Sequence, residues 1–242
     1  PEIANFLSTE GQMGIIVKAT VHVGQRPSQW FPLLLSFEKA STAYSVASQF
    51  SRHPSLKPHD LIVYHTELAR ILKAQSNGRM SVEANHLVLI AFAQEEPSRR
   101  VKTYLEERGI SIADEASAQY LWEERFLPMS IKSLGPSLLA TEVTLPLDQV
   151  GPYFEKITEW GKRLGITFYP SSHLINRDQV LFLAMITSDH RKAIFYADLM
   201  LVPMMVRLAV QFYGGKPYGL GIWNTPFLRN LYSKEELKAL VG

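Results

Sequence analysis

The stretch His86-Leu87-Val88-Leu89-Ile90-Ala91-Phe92-Ala93 decides the fold class, because a continuous apolar run rich in branched side chains is typical of a buried strand. Pro97 then opens a helical pattern that runs to about Arg108 and stops at Gly109. Proline suits the first turn of a helix, where its missing N–H has no partner to lose, and glycine suits the end. The sequence therefore predicts a buried strand followed by a helix.

The residues before this strand predict the same kind of unit. Phe31-Pro32-Leu33-Leu34-Leu35-Ser36-Phe37 reads as a buried strand, and residues 38–52 follow with apolar side chains at helical spacing. A short strand at 60–64 and a short helix at 66–75 come next. Residues 30–109 thus form a first block of strands and helices.

A second block, residues 140–215, repeats the order. It begins with an alternating strand at 140–147 and a helix at 147–164 that ends at Gly165. Strands at 166–169 and 179–187 follow, and then a long helix at 189–213 that we expect Pro203 to kink. Between the blocks, Asp114 is the predicted N-cap of a helix at 114–126. Together the blocks predict an α+β fold: two ferredoxin-like units forming an antiparallel sheet covered by helices on one face.

Composition limits the function classes. The chain has 242 residues, 46% hydrophobic and 20% charged, with a formal net charge of +2. We therefore expect a globular protein with no nucleic-acid partner. Cysteine is absent, which excludes disulfides, thiolate catalysis and Cys-ligated clusters in this chain and fits a reducing, cytoplasmic compartment. The apolar stretch 193–210 contains Asp198, Pro203 and Arg207, so we predict a core helix there and no membrane span.

Three motifs, in the same order along the chain, carry a family resemblance. Ser8-Thr9-Glu10-Gly11-Gln12-Met13-Gly14-Ile15-Ile16-Val17-Lys18-Ala19-Thr20 resembles the S-E-G-T-x-G-I-I-T-x-A-T segment that closes the FAD-binding domain of FAD-linked oxidases. These are the relatives of vanillyl-alcohol oxidase, glycolate oxidase and D-lactate dehydrogenase. Residues 125–146 resemble the family's arginine-bearing helix and the strand after it. Residues 214–221 are similar to its Gly-rich turn.

The resemblance implies the C-terminal substrate part of an FAD-dependent oxidoreductase that oxidises a small hydroxylated substrate, either a 2-hydroxy acid or an alcohol or phenol. It divides the chain into the tail of the FAD-binding domain (1–28), the cap or substrate domain (29–228) and a C-terminal helix (229–242). The residues it implies next to FAD are Glu10, Gly11, Gly14, Ile15 and Ile16. Glycines suit such a place, because backbone approaches a dinucleotide closely only where no Cβ intervenes.

We expect the chain to be a processed, proteolysed or engineered product, because it opens with Pro1. We also expect that it does not retain FAD without the upstream FAD-binding domain or chain, and that it could form a homo-oligomer. A second hypothesis is a non-catalytic ferredoxin-like subunit or interaction module whose flavin site has decayed.

Two departures from the family narrow the chemistry that the resemblance implies. Metal-using members carry H-x-G-D-G-N-x-H, but residues 171–178 keep only His173, and residues 217–221 lack the glutamate and histidine of the family's late motif. A divalent metal needs three or more convergent ligands, so we expect no metal site. Tyr218 stands in the late motif instead, which resembles the phenol-oxidising members.

The predicted catalytic residues are Arg125, His173 and Tyr218. The resemblance implies that Arg125 anchors a substrate anion, although an ion pair with Glu123 or Glu124 would also explain it. His173 is a candidate base or a polar loop residue, and Tyr218 a donor to a substrate oxyanion or a packing residue. We predict that three further histidines lie on the surface: His53, His59 and His65.

Overall fold

The computed structural model describes residues 15–53, 56, 58–219, 229, 233–235 and 238. The first block contains β1 (Phe31–Phe37), α1 (Ala40–Arg52), β2 (Asp60–Tyr64), α2 (Thr66–Gln75), β3 (His86–Phe92) and α3 (Glu95–Glu106). Helix α4 (Glu115–Glu123) and a 3-10 helix (Leu127–Leu134) connect the blocks. The second block contains β4 (Ser137–Pro146), α5 (Val150–Leu164), β5 (Tyr169–Leu174), β6 (Gln179–Ser188), α6 (Ile194–Phe212) and β7 (Lys216–Pro217).

All seven strands form one antiparallel sheet in the order β1-β3-β2-β5-β6-β4-β7. The two blocks meet where β2 pairs with β5. Counted outward from that junction, β3 and β1 of the first block match β6 and β4 of the second. Next to β4 lies β7, and next to β1 an isolated bridge joins Leu35 to Ile112. The two ferredoxin-like units are therefore placed symmetrically about the junction.

Two hydrophobic cores cover the two faces of the sheet. On one face, α1, α3, α5 and α6 bury side chains such as Phe50, Ile157 and Phe182. The other core lies under α2, α4 and the 3-10 helix, and includes Leu72 and Leu121. Strand β3 is buried along its whole length because both of its faces are covered, which explains its unbroken apolar run.

The α+β class and the two-unit antiparallel sheet predicted from the sequence are confirmed. The four helices of the two units lie on one face, as predicted. The prediction did not include the shorter elements on the opposite face, which cover mainly the first block. Two predicted helix ends also agree closely with the structure. Asp114 accepts a hydrogen bond from the Ser117 backbone N–H at 2.8 Å, and Gly165 ends α5 with φ of 67°. A left-handed φ of this kind favours glycine.

Two local predictions were wrong. The apolar run Ile15-Ile16-Val17 and the alternating Thr20-Val21-His22-Val23 predict a strand, but residues 15–27 have no regular structure and are mostly exposed, because no neighbouring strand pairs with them within the described residues. The strand expected at 166–169 instead runs from Tyr169 to Leu174, through two buried serines. Strand β5 pairs on both sides, with β2 and with β6, and this pairing overrides its polar composition.

Helix α6 is long and apolar enough to cross a membrane by length and composition. One face packs into the core through residues that include Leu201, Met205 and Ala209. Its other face exposes Tyr196, Met200 and Met204. The prediction of a core helix therefore describes one face of α6. The domain boundaries at 28/29 and 228/229 remain predictions.

Candidate functional site on the open face of the sheet

The second block leaves one face of its strands partly uncovered, and we call this surface the open face. It is formed by alternate residues of β5, β6, β4 and β7, opposite α5 and α6. Ala140 and Glu142 are exposed there, and Leu181 and Leu183 are half-buried. The matching face of β1 and β3 is buried under α4. The open face is therefore where a ligand or another domain has access to the sheet.

Strand register aligns one row of side chains across the open face. Ser171 pairs with Tyr64 on one side and with Leu183 on the other, and Leu183 pairs with Glu142. The row ends at Tyr218, whose backbone N–H donates to the Glu142 carbonyl at 3.1 Å. Partners in an antiparallel ladder point to the same face. With strands ~4.8 Å apart, the backbones of the two tyrosines are about 19 Å apart.

The β2–β5 end of this row carries two buried hydroxyl groups. Tyr64 is fully buried and Ser171 is buried, yet neither Tyr64 Oη nor Ser171 Oγ has a hydrogen-bond partner among the described residues. Buried polar atoms are nearly always paired, because leaving one unpaired costs about 1–3 kcal/mol. Two unpaired hydroxyls on directly opposite residues therefore indicate a site where a polar group of a ligand can supply the missing hydrogen bonds.

Arg125, a predicted site residue, lies at this same end. Its guanidinium stacks on the rings of Trp122 (4.3 Å) and Phe126 (4.8 Å) and donates to the Trp122 carbonyl at 2.9 Å. Burial, with the nearby Asp60 carboxylate, raises the pKa of Tyr64, while the positive charge of Arg125 lowers it. Arg125 and Tyr64 therefore interact electrostatically at this end of the row. No salt bridge joins it to Glu123 or Glu124 in the part of the chain that the structure describes.

His173 also lies here, within β5 and opposite Ile62 of β2. The interpretation as a loop residue is therefore wrong, since the histidine belongs to a paired strand. Burial lowers the pKa of His173, and the Asp60 carboxylate offsets part of that effect. A half-buried, neutral imidazole can accept a proton from a substrate hydroxyl group.

Tyr218 is separated from these residues. It is 49% exposed and follows β7 at the far edge of the open face. Three strand spacings, about 14 Å, separate its backbone from β5. The structure therefore brings Arg125 and His173 to one end of the open face and places Tyr218 at the other.

The residues that the resemblance implies next to FAD are only partly covered by the structure. Glu10, Gly11 and Gly14 lie outside the described residues. Ile15 and Ile16 are exposed, at 87% and 55%, in the irregular segment. The contacts with FAD that the resemblance implies therefore remain a prediction. No group of three or more His, Asp or Glu side chains that could hold a metal ion occurs among them.

Sequence reasoning missed Tyr64 and Ser171 and misplaced His65. Tyr64 is the last residue of an ordinary strand pattern. Ser171 belongs to the segment 171–178, which drew attention only because it keeps one of the two histidines of the family motif. His65, expected on the surface, is buried at the end of β2, with Nε2 2.8 Å from the Tyr44 hydroxyl. That hydroxyl also lies 2.6 Å from Ser172 Oγ. No local pattern in the sequence signals these contacts, because they join α1, β2 and β5.

The fold is that of one half of a group of flavoenzymes. No family model and no curated protein matches the sequence. Among solved structures, 4-ethylphenol oxidase from Gulosibacter chungangensis, in complex with isoeugenol, superposes with a TM-score of 0.65 at 10% identity; the match covers 86% of this chain and 49% of that one. For p-cresol methylhydroxylase with substrate bound the TM-score is 0.64 at 11% identity, over 88% and 49%.

An alkyldihydroxyacetonephosphate synthase matches with a TM-score of 0.52 at 16% identity, over 92% of this chain and 46% of that one. All three are FAD-linked oxidase family members, so the resemblance seen in the sequence is confirmed at the level of the fold. The chain spans about half the length of each solved structure that it matches.

Proposed function

We propose that this chain is the substrate-binding half of an FAD-dependent oxidoreductase that oxidises a small hydroxylated substrate of the phenol class. The observation that carries the proposal is the pair of buried, unpartnered hydroxyls, Tyr64 Oη and Ser171 Oγ, near Arg125 at the β2–β5 end of the row. The shared fold with two phenol-oxidising enzymes supports it. In the complete protein, bound FAD would supply the acceptor for the hydride that leaves the substrate.

The chain's own residues would bind and orient that substrate. Arg125 and the Tyr64 hydroxyl would hold a phenolate oxygen, since a guanidinium and a phenol O–H both donate to an anion. His173, neutral at pH 7 because burial lowers its pKa, would take up the proton that the substrate hydroxyl loses. Tyr218, at the far edge of the open face, would contact a different part of the substrate or the flavin ring system.

The upstream half of the protein would supply the FAD-binding domain and complete the site. Tyr64 and Ser171 at the β2–β5 end are already buried, and charge interactions strengthen where water is excluded. Phenols are favoured over 2-hydroxy acids because the described residues place one arginine with two neutral hydroxyls at the site. A hydroxy acid needs a carboxylate anchor and a separate site for its hydroxyl.

An absorbance spectrum of the full-length protein tests this proposal. Flavin bands near ~450 nm that bleach on anaerobic addition of 4-ethylphenol, and much less with lactate, are the expected result. Bleaching by lactate alone would overturn the substrate class. A protein that stays colourless with added FAD would overturn the proposal and leave the non-catalytic module as the better hypothesis.

A further inference from the structure

A cavity of about 650 Å³ lies on the helix-covered side of the sheet, away from the open face. Its walls come from the β2–α2 junction, the start of β3, helix α5 and the loop after α5. A volume of this size is in the range of small-molecule sites. Nothing in the function proposed above uses this space.

Two buried imidazoles line the cavity, His65 and His86, with ring centroids 5.2 Å apart. His65 is 1% exposed and stacks on Phe154 at 3.7 Å between ring centroids. Its Nε2 atom is engaged by Tyr44, whereas the Nδ1 atoms of both histidines have no hydrogen-bond partner among the residues that the structure describes. Buried nitrogens without partners on the wall of a cavity point to a ligand that supplies the missing contact.

The charges around the cavity favour an anion. Lys162 lies on its wall, and the N-terminus of α2 opens onto it through Thr66 and Glu67. Within the described residues, no side chain caps this helix end, so its first backbone N–H groups remain available. The one acidic side chain on the wall, Glu67, is paired with Arg70 at 2.8 Å. Burial keeps both imidazoles neutral by lowering the pKa of each, so they act as hydrogen-bonding groups and add no charge.

Much of the remaining wall is apolar. Phe154 and Phe168 contribute their rings, and one stripe of α5 carries Phe154, Thr158 and Lys162 at a spacing of four residues. Side chains four apart on a helix lie next to one another. An apolar ring could therefore pack on the phenylalanines while a negative group reaches Lys162 and the start of α2.

From this geometry we propose that the cavity binds a small aromatic carboxylate. The aromatic ring packs between Phe154 and Phe168, and the carboxylate accepts hydrogen bonds from Lys162, from the α2 N-terminus and from the unpaired Nδ1–H of His65. The site is on the other face of the sheet from Tyr64 and Ser171, so it is separate from the proposed substrate site.

Titration of the full-length protein with benzoate tests the proposal. We expect saturable binding, followed by the imidazole nitrogen NMR signals of His65 and His86, whose environment the ligand changes. Benzamide, which has the same shape without the charge, should bind at least tenfold more weakly, and so should acetate, which lacks the ring. Absence of saturation overturns the proposal. Equal binding of benzamide or of acetate overturns the carboxylate or the aromatic requirement.

Variants on α5 locate the site. Thr158→Phe should fill the cavity and abolish binding, whereas Thr158→Val keeps its shape and should retain it. Lys162→Gln, at an exposed position, should weaken benzoate binding about threefold to tenfold. Lys156→Gln on the same helix, where the lysine pairs with Glu159, is the matched control and should bind like the wild type. Equal affinity in Lys162→Gln and Lys156→Gln would place benzoate elsewhere, even if Thr158→Phe fails to fold.

Discussion

Tyr64 and Ser171 face each other across β2 and β5, and within the described residues neither side-chain hydroxyl has a hydrogen-bond partner. In contrast, Tyr44 and Ser172, on the opposite face of the sheet, share a hydrogen bond of 2.6 Å. Neighbouring positions of one strand thus carry a satisfied serine and an unsatisfied one. Tyr64 of the unsatisfied pair packs in the core under α2, α4 and the 3-10 helix, and Ser171 lies where that core meets the open face.

Tyr64→Phe should separate stability from activity. Removing a buried hydroxyl without a partner should leave the free energy of unfolding unchanged or raise it by up to about 1 kcal/mol. If the hydroxyl donates to the substrate, kcat/KM of the full-length enzyme should fall about tenfold or more. Urea denaturation and steady-state kinetics measure the two effects. An unaltered kcat/KM would remove Tyr64 from the substrate site.

Tyr44→Phe should have the opposite effect on stability. The hydroxyl of Tyr44 contacts His65 Nε2 and Ser172 Oγ, and its loss leaves two buried polar atoms unpaired. The free energy of unfolding should fall by about 1–3 kcal/mol. Tyr104→Phe is the control, because the Tyr104 hydroxyl makes only a long, 3.4 Å contact with Gln49 at an exposed position. Equal stability of the two variants would contradict the buried network.

Arg125→Ala should raise the KM of the full-length enzyme for a phenol substrate at least about tenfold, because it removes the proposed cation beside the phenolate. The matched control is Arg108→Ala, since Arg108 also stacks on an aromatic ring, that of Tyr104 at 3.5 Å, but lies away from the open face. Steady-state kinetics on both variants decide the assignment. If KM changes equally in both, Arg125 does not contact the substrate.

Stability should fall as the pH drops below neutrality. Burial lowers the pKa of His65, His86 and His173, so below about 6.5 the unfolded chain binds protons that the folded chain does not. The loss is at most about 1.4 kcal/mol per pH unit for each histidine. Two carboxyls whose pKa is lowered to about 2 titrate below this window, Asp114 and Asp189.

Urea denaturation at pH 7.5 and 5.5 measures this dependence. The variant His86→Leu should reduce it, because one titrating group is removed. His22→Gln, at an exposed position, should keep the wild-type dependence. A free energy of unfolding that does not change between the two pH values would show that the imidazoles are hydrated in solution.

Two glycines of α5 should respond in opposite directions to alanine. A Cβ on Gly161 would lie 2.6 Å from the Ile166 carbonyl oxygen and 2.9 Å from the Phe168 ring. Gly161→Ala should therefore lower the free energy of unfolding by about 1–3 kcal/mol. A Cβ on Gly151 meets no heavy atom of the described residues within 4 Å, so Gly151→Ala should raise it by about 0.5–1 kcal/mol. Thermal unfolding of both variants checks the contrast, and a gain in stability for Gly161→Ala would contradict the close packing of the loop.

Local patterns in the sequence determined most of the elements and the fold class. Strand β2 and helix α2 begin and end where the periodicity places them. Asp114 and Gly165 act as helix ends because capping depends on one residue and its nearest neighbours. The family resemblance, which rests on short motifs, is supported by a fold match that covers 86–92% of the chain. These features share one property: the information for each lies within a few residues.

Only the tertiary structure decided which polar residues meet. Strand β5 is a strand because β2 and β6 lie on both sides of it, although its own sequence is polar. Its pairing register then places Ser171 opposite Tyr64 on the open face and turns Ser172 toward Tyr44 on the other. His65 is buried for the same reason, although its neighbours in sequence suggest a surface loop. Contacts between residues far apart in the chain depend on strand order and register, and no short stretch of sequence contains either.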